Sequence, residues 1–320
     1  MSKLVPVGSG LTSWHESDLS ATEEKDRWYA EQLEEGNIPF FARAPLDLPD
    51  EDRCFLLGQR QSGGSFHKNI AYRPLQDRVT GLARKTARDD EKRLLAIMRR
   101  YSGQATQFLA GLLPQYAQNW RLDYTSFRPF EERGRRMRQS ARNDLLHIDA
   151  FPTRPTHGDR ILRFFTNINP TQPRVWLTGP TFEVLASQLA VGSGLLPQLK
   201  SRPSALIARQ SFDAVRRALE EATRALGIRM ATASPYDRFM HHFHNYLKQR
   251  SDFQRDCAKN RWECPAGSSW MVFTDGVSHA VLSGQFALEQ TYIVPRSSLV
   301  LPQKAPASIL ENLCGWRLAD

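Results

Sequence analysis

The sequence predicts an α+β protein: a jelly-roll or barrel of β-strands with helices N-terminal to it and a helical insertion between its strands. Three observations carry this. Residues 120–178 and 268–296 are rich in β-branched and aromatic side chains punctuated by Pro and Gly turns, whereas 18–116 and 181–259 carry helical periodicity. Two groups of metal-type side chains, His147-Ile-Asp149 and His279, lie 130 residues apart, counted from Asp149 to His279. They share a site only if a late strand lies beside an early one, as in barrels and jelly rolls.

The elements follow in chain order. Between Asp89 and Leu113 the residues Leu94, Met98, Tyr101, Ala105, Phe108 and Leu112 recur at steps of three and four, the stripe of an amphipathic helix packed on a sheet. From Trp120 the pattern turns to strand, interrupted by a basic stretch from Glu131 to Arg142. After Asp149 a Pro- and Gly-rich turn, Phe151–Gly158, leads into Arg160–Asn169, which ends at Pro170 and reads as a strand. Alternation puts Arg163, Phe165, Asn167 and Asn169 on one face, and Leu162, Phe164, Thr166 and Ile168 on the other. Phe212–Leu226, stopped by Gly227, and Pro235–Gln249 read as helices. The sheet is expected to resume at Ser268, after a Cys264–Gly267 turn, with His279 beginning a strand after the Asp275-Gly276 turn and Gly284 inside the strand that follows. One catalytic domain of 320 residues is expected.

The chemistry resides in His147 and Asp149, which on an extended strand point the same way. Alone, the pair would equally suit a strand end with a solvated Asp and a half-buried His. With His279 it forms a set of two imidazoles and one carboxylate, which leaves positions open on a divalent iron for a co-substrate and O2. Zinc would also fit such ligands, so a hydrolase is the rival reading. His241 and His244, three apart on one helical face and near Asp237, form a competing donor group. We expect His244 to touch substrate rather than metal.

The order of His-x-Asp, basic strand, helical insertion, Pro-x-Gly turn and late His resembles the Fe(II)/2-oxoglutarate-dependent oxygenases. Asn143–Pro170 and Phe273–Gln285, with Lys68–Tyr72 and Ser234–Phe239, resemble more narrowly the hydroxylases of 3-deoxy-D-manno-oct-2-ulosonic acid (Kdo). The resemblance implies a double-stranded β-helix core, with His147, Asp149 and His279 as ligands of Fe(II). It also implies oxidative decarboxylation of 2-oxoglutarate to succinate and CO2, using O2, with hydroxylation of the Kdo of lipid A. One feature departs from the wider group, which often carries an Arg shortly after the distal His to hold the far carboxylate of 2-oxoglutarate. Here that stretch is Ala287-Leu-Glu-Gln-Thr291. Arg163, 14 residues beyond Asp149, is the expected substitute, its guanidinium fork matching a carboxylate. Asn167, Asn169 and Gln290 are further candidates for the co-substrate, and Arg160 is a rival on the opposite face.

Charge points to the partner. With 43 Lys and Arg against 34 Asp and Glu, the chain carries a formal +9. Arg133, Arg135, Arg136, Arg138 and Arg142 crowd ten residues just before the first ligand pair. Such a run suits a solvated loop, and equally the carboxylates and phosphates of an anionic glycolipid or the anionic inner leaflet. Arg133, Arg135 and Tyr236 are expected substrate contacts. A nucleic-acid oxygenase would also be basic, but the sequence carries no zinc-finger or RNP-type motif, and no nucleic-acid partner is expected. A non-catalytic sugar-binding jelly roll is the remaining class, opposed by the complete ligand set. Four cysteines without paired metal spacing read as free thiols, and with no secretory leader or apolar run of spanning length the expected location is the cytoplasm, with peripheral inner-membrane contact.

Overall fold

A computed structural model of the chain describes residues 2–7, 22–59, 69–83, 85–135, 137–190 and 233–319. The expected helix Phe212–Leu226 and its Gly227 stop lie outside them, as do Arg136 and Lys68. Eleven described strands form two sheets: β1 (Leu4–Val7), β2 (Ile38–Phe41), β3 (Ile70–Arg73), β4 (Arg78–Thr80), β5 (Arg121–Arg128), β6 (Arg160–Asn167), β7 (Arg174–Thr181), β8 (Asn260–Cys264), β9 (Ser269–Phe273), β10 (Val277–Ser283) and β11 (Ala287–Val294). The larger sheet runs β1-β2-β9-β6-β11-β5-β3-β4 and the smaller β10-β7-β8. A cluster from Phe165, Trp176, Trp270, Val272 and Val281 fills the space between them, so the inner faces meet as in a jelly roll.

Strand alternation sorts the side chains. On β6, Leu162 and Phe164 join Met271, Phe273, Tyr292 and the helical residues Tyr29, Leu33 and Leu109 in a core outside the larger sheet. Arg163 and Phe165 point inward. Helix α1 (Thr22–Glu34) and α3 (Arg88–Leu112) form that outer layer, and α2 (Asp50–Gly58) contributes Leu56 to a neighbouring cluster. In α3 Leu94, Met98, Tyr101 and Ala105 of the expected stripe are buried, Phe108 and Leu112 are partly buried, and Ile97 and Leu109 join them, while Asp89, Asp90 and Glu91 complement the helix dipole in its first turn.

Three expectations need correction. The N-terminal layer is not simply helical: β2 to β4 extend the larger sheet at both edges, because short segments such as Ile70–Arg73 pair with β5 and need no long pattern of their own. The sheet resumes at Asn260, since β8 pairs with β7 before the turn at Pro265. Gly284 does not lie within a strand but between β10 and β11, at φ +120°, where a Cβ would stand 2.8 Å from Cα of Arg174. Only glycine tolerates both that angle and that approach.

The helical part of the insertion that is described consists of α5 (Phe182–Leu185), α6 (Pro235–Gln249) and α7 (Ser251–Asp256), with short α4 (Pro114–Ala117) and terminal α8 (Pro306–Cys314) elsewhere. Helix α6 begins with Pro235 in its first turn and a reciprocal cap, Ser234 accepting from the Asp237 amide and Asp237 accepting from the Ser234 amide.

Candidate active site

His147 and His279 face each other across an isolated antiparallel bridge: the His147 amide donates to the His279 carbonyl at 3.0 Å and the His279 amide returns the bond at 2.8 Å. Asp149, one alternation further, donates its amide to the Thr274 carbonyl. The two imidazoles are thereby set 4.7 Å apart, centroid to centroid, and Nε2 of His147 is 3.7 Å from Oδ1 of Asp149. Nδ1 of His147 donates to the Leu145 carbonyl and Nδ1 of His279 to the Val277 carbonyl, at 2.7 and 2.9 Å. A carbonyl only accepts, so each Nδ1 carries the proton and each Nε2 keeps its lone pair. Trp176 of β7 stacks on the His279 ring at 5.3 Å and fixes its plane.

Electrostatics favour the metal-ready protonation states. Burial holds the pKa of His147 well below the ordinary imidazole value, with repulsion from His279 adding to the effect, and burial likewise lowers that of His279. Burial opposes ionisation of Asp149, but Arg163, His279, His147 and Thr274 together overcome it and hold the carboxyl far below the usual range. Nη2 of Arg163 lies 3.0 Å from Oδ2 of Asp149, off the axis of a directed hydrogen bond, so this buried oxygen keeps its lone pairs. Two neutral imidazoles and an ionised carboxylate with unspent electron pairs form a donor set that fits a divalent ion.

A third imidazole stands close by. His244 of α6 packs edge-on to His147 at 5.0 Å, its Nδ1 donating to the Ile148 carbonyl at 2.6 Å. Among the described residues the donor atoms of His147, Asp149 and His244 all lie within 4.8 Å of one another, a group that does not take in His279, so distance alone favours His244. The two differ in mounting: His279 is hydrogen-bonded through its own backbone to His147, whereas His244 is borne by α6 and tied to the Ile148 carbonyl.

These groups line one cavity of about 680 Å³. The larger sheet contributes Arg128, Arg163 and Glu289, the smaller Arg174 and Trp176, and α6 contributes His241, His244, Asn245 and Lys248 at helical spacing. Glu289 joins Arg128, whose Nε donates at 2.9 Å, to Arg163, and although burial opposes its ionisation the two guanidiniums keep its pKa low. Arg174 is 1% exposed. Its Nη1 donates to the Gly284 carbonyl at 2.8 Å, while Nε and Nη2 have no hydrogen-bond partner, and burial followed by Arg128 repulsion brings its pKa down to about 10.

Several expected contacts lie elsewhere. Asn167 has the parity of Arg163, but at the strand end its amide donates to the carbonyls of Gln172, Cys264 and Pro265. Asn169 accepts the amides of Thr171 and Gln172 in the following turn. Gln290 is on the wrong face: it accepts from Ser102 and Thr125 toward α3, while its neighbours Glu289 and Thr291 line the cavity. Tyr236 is buried in the apolar cluster around α6, and neither Arg133 nor Arg135 lines the cavity. Arg135 lies over Phe130 and pairs with Glu132 at 3.5 Å. Arg160 pairs with buried Asp275 at 2.8 Å, well removed from the cavity, in keeping with its opposite face. Arg163 and His244 do line it. Arg128, Arg174 and Glu289 escaped sequence reading, although the parity Glu289–Thr291 against Leu288–Gln290 was available as a signal.

Comparison with known proteins bears on this site. The sequence matches the family described as 3-deoxy-D-manno-oct-2-ulosonic acid (Kdo) hydroxylase over residues 16–317. No curated protein matches the chain. Among solved structures, the apo form of the Kdo hydroxylase KdoO, described as a non-heme Fe(II) alpha-ketoglutarate-dependent dioxygenase, superposes with a TM-score of 0.80 at 32% identity, covering 99% of this chain and 98% of that one. KdoO with alpha-ketoglutarate and Fe(III) gives 0.78 at 32%, with the same coverage, and KdoO with cobalt(II) gives 0.80 at 33%, covering 99% and 97%. A profile match over nearly the whole length, together with a shared fold at this identity, establishes that the chain belongs to the Kdo hydroxylase family.

Proposed function

We propose that this protein is an Fe(II)- and 2-oxoglutarate-dependent dioxygenase that hydroxylates the Kdo sugar of Kdo-modified lipid A, with His147, Asp149 and His279 as the metal ligands. The observation that carries the proposal is the convergence of two Nε2 lone pairs and one ionised carboxylate at the wall of a cavity bearing buried guanidiniums. With O2, the bound iron and 2-oxoglutarate supply oxidative decarboxylation to succinate and CO2 and the oxidant that converts substrate C–H to C–OH.

The chain's own residues bind and orient. Arg163, Glu289 and Arg128 form a buried ladder of alternating charge that braces Asp149 from behind. Arg163 has one N–H without a hydrogen-bond partner, at Nε, and Arg174 has two such groups, Nε and Nη2, the latter 3.6 Å from Oε1 of Glu132. We assign the far carboxylate of 2-oxoglutarate to Arg174, with Arg163, the anchor expected from sequence, acting chiefly on Asp149. An anionic co-substrate has the right sign: the cavity lining carries Arg73, Arg128, Arg154, Arg163 and Arg174 against Asp149 and Glu289. Lys248, 2% exposed beneath His244, adds a cation on the side where an acidic sugar enters.

Mass spectrometry of Kdo-bearing lipid A tests the reading: one added oxygen atom, requiring both Fe(II) and 2-oxoglutarate, is expected. Cleavage without oxygen gain, supported by zinc, would replace it with the hydrolase. We further place the protein at the cytoplasmic face of the inner membrane as a peripheral enzyme, a reading supported by its +9 charge. Among the described residues no helix is long and apolar enough to cross a bilayer.

A further inference from the structure

Beside the active-site cavity lies a second one of about 290 Å³. The two share Arg73, Tyr124, Phe151 and Arg154, so a single wall of two guanidiniums and two aromatic rings separates them. Both guanidiniums lie over the Tyr124 ring, Arg73 at 5.0 Å and Arg154 at 4.1 Å, and Arg154 is also 4.1 Å from the Phe151 ring. This stacking holds the long side chains in place and leaves the edges of their N–H forks available.

The charge of the second cavity is lopsided. Its lining includes Arg73, Arg121 and Arg154 against one carboxylate, Asp123. Asp123 is taken by Arg154, and Arg121 pairs with Asp159 at 2.9 Å. Among the described residues Arg73 pairs with no carboxylate, and its Nε is buried without a hydrogen-bond partner. A buried charged donor left unsatisfied is costly, so an anionic acceptor is the occupant the site rewards. Leu75, 93% exposed at the rim, and the buried edges of Leu122 and Ile293 make the remaining wall apolar.

We propose that this second cavity is a subsite for a second anionic group, a phosphate or carboxylate, on the unit next to the sugar that is hydroxylated. The proposal rests on the hydroxylase reading of the neighbouring cavity and adds a specificity-determining site to it. The Arg73–Tyr124–Arg154 wall then lies between the two bound units and measures whether the acceptor carries its second charge.

The test uses the iron-loaded protein and three Kdo glycosides: one with an uncharged neighbouring unit, one with a phosphate on that unit and one with a carboxylate. Anaerobic calorimetry with 2-oxoglutarate present gives each Kd, and mass spectrometry of oxygen gain gives each kcat/KM. The wild-type protein is expected to favour at least one doubly charged acceptor by about tenfold or more, the scale of one charge-assisted hydrogen bond. In the Arg73→Ala/Arg154→Ala variant that ratio collapses toward unity, and Arg73→Lys, which keeps the charge, retains most of it. Whether the phosphate or the carboxylate is preferred identifies the group. Oxygen gain with the same ratios in wild type and double variant would overturn the subsite alone. Absence of oxygen gain with every acceptor would overturn the hydroxylase reading together with it.

Discussion

His279 and His244 each spend Nδ1 on a backbone carbonyl and line the same cavity, and their replacement separates metal binding from substrate handling. His279→Ala is expected to weaken Co(II) or Fe(II) binding by at least about a hundredfold, whereas His244→Ala leaves it within a fewfold, read by anaerobic metal titration. The opposite order would make His244 the ligand. Two arginines pose a parallel question. Arg174→Ala is expected to raise the apparent Kd for 2-oxoglutarate by about tenfold to a hundredfold, as loss of a buried carboxylate partner should, while Arg163→Ala shifts metal affinity more than co-substrate affinity. The buried imidazoles also predict a direction with pH. Burial, helped by Lys248, brings His244 to about 4, below the ordinary 6.5. Below pH 6.5 the unfolded chain takes up a proton that the folded one refuses, so stability falls with falling pH until the folded group also titrates. At pH 4 this one residue costs on the order of 3 kcal/mol, and denaturant titrations of wild type and His244→Gln should diverge over that window.

Helix α6 shows how an element turns local chemistry into site geometry. Asp237 caps its first turn and, through Oδ1, accepts the amides of Thr156 and His157 at 2.8 and 3.3 Å, so one carboxylate ties the helix to the loop that follows Asp149. Ser234→Ala is expected to cost about 1 kcal/mol as a lost cap, and Asp237→Ala about twice that or more, because loop amides are orphaned too; urea denaturation measures both. Much at this scale was legible in the sequence. The stripe of α3, the shared face of His147 and Asp149, and the His241–His244 pair all follow from spacing within one element. What spacing could not supply was the position of a residue along an inward face. Asn167 and Arg163 share parity, yet one serves a turn and the other the cavity. The short strands β2 to β4 and β8 were missed for a related reason: three to five residues hold too few alternations to be recognised, and their pairing energy comes from neighbours distant in sequence. Gln290 misled because an absent arginine drew attention to the wrong neighbour; Glu289, one residue earlier, is the inward one.

For the whole molecule, the sequence conveyed the reaction class and the sign of the partner, while the cavity floor needed the fold, since Arg128, Arg174 and Glu289 come from three strands with no common motif. Metal binding should stabilise the entire protein through linkage: at an ion concentration about a hundred times Kd the gain is roughly 2.7 kcal/mol, visible as a rise in Tm that a chelator reverses. The backbone bridge between His147 and His279 gives that stabilisation a kinetic character. It joins residues 132 positions apart, so it closes a long loop. Closing such a loop costs chain entropy, and the full ligand set repays it only once both ends are in place. The ion can therefore act only as a latch on the finished molecule: stopped-flow measurements should find refolding equally fast with and without Co(II), and unfolding slowed by nearly the full gain in stability. A nascent chain would have nothing to offer iron until its last strands had arrived, which makes metal uptake a marker of completed maturation.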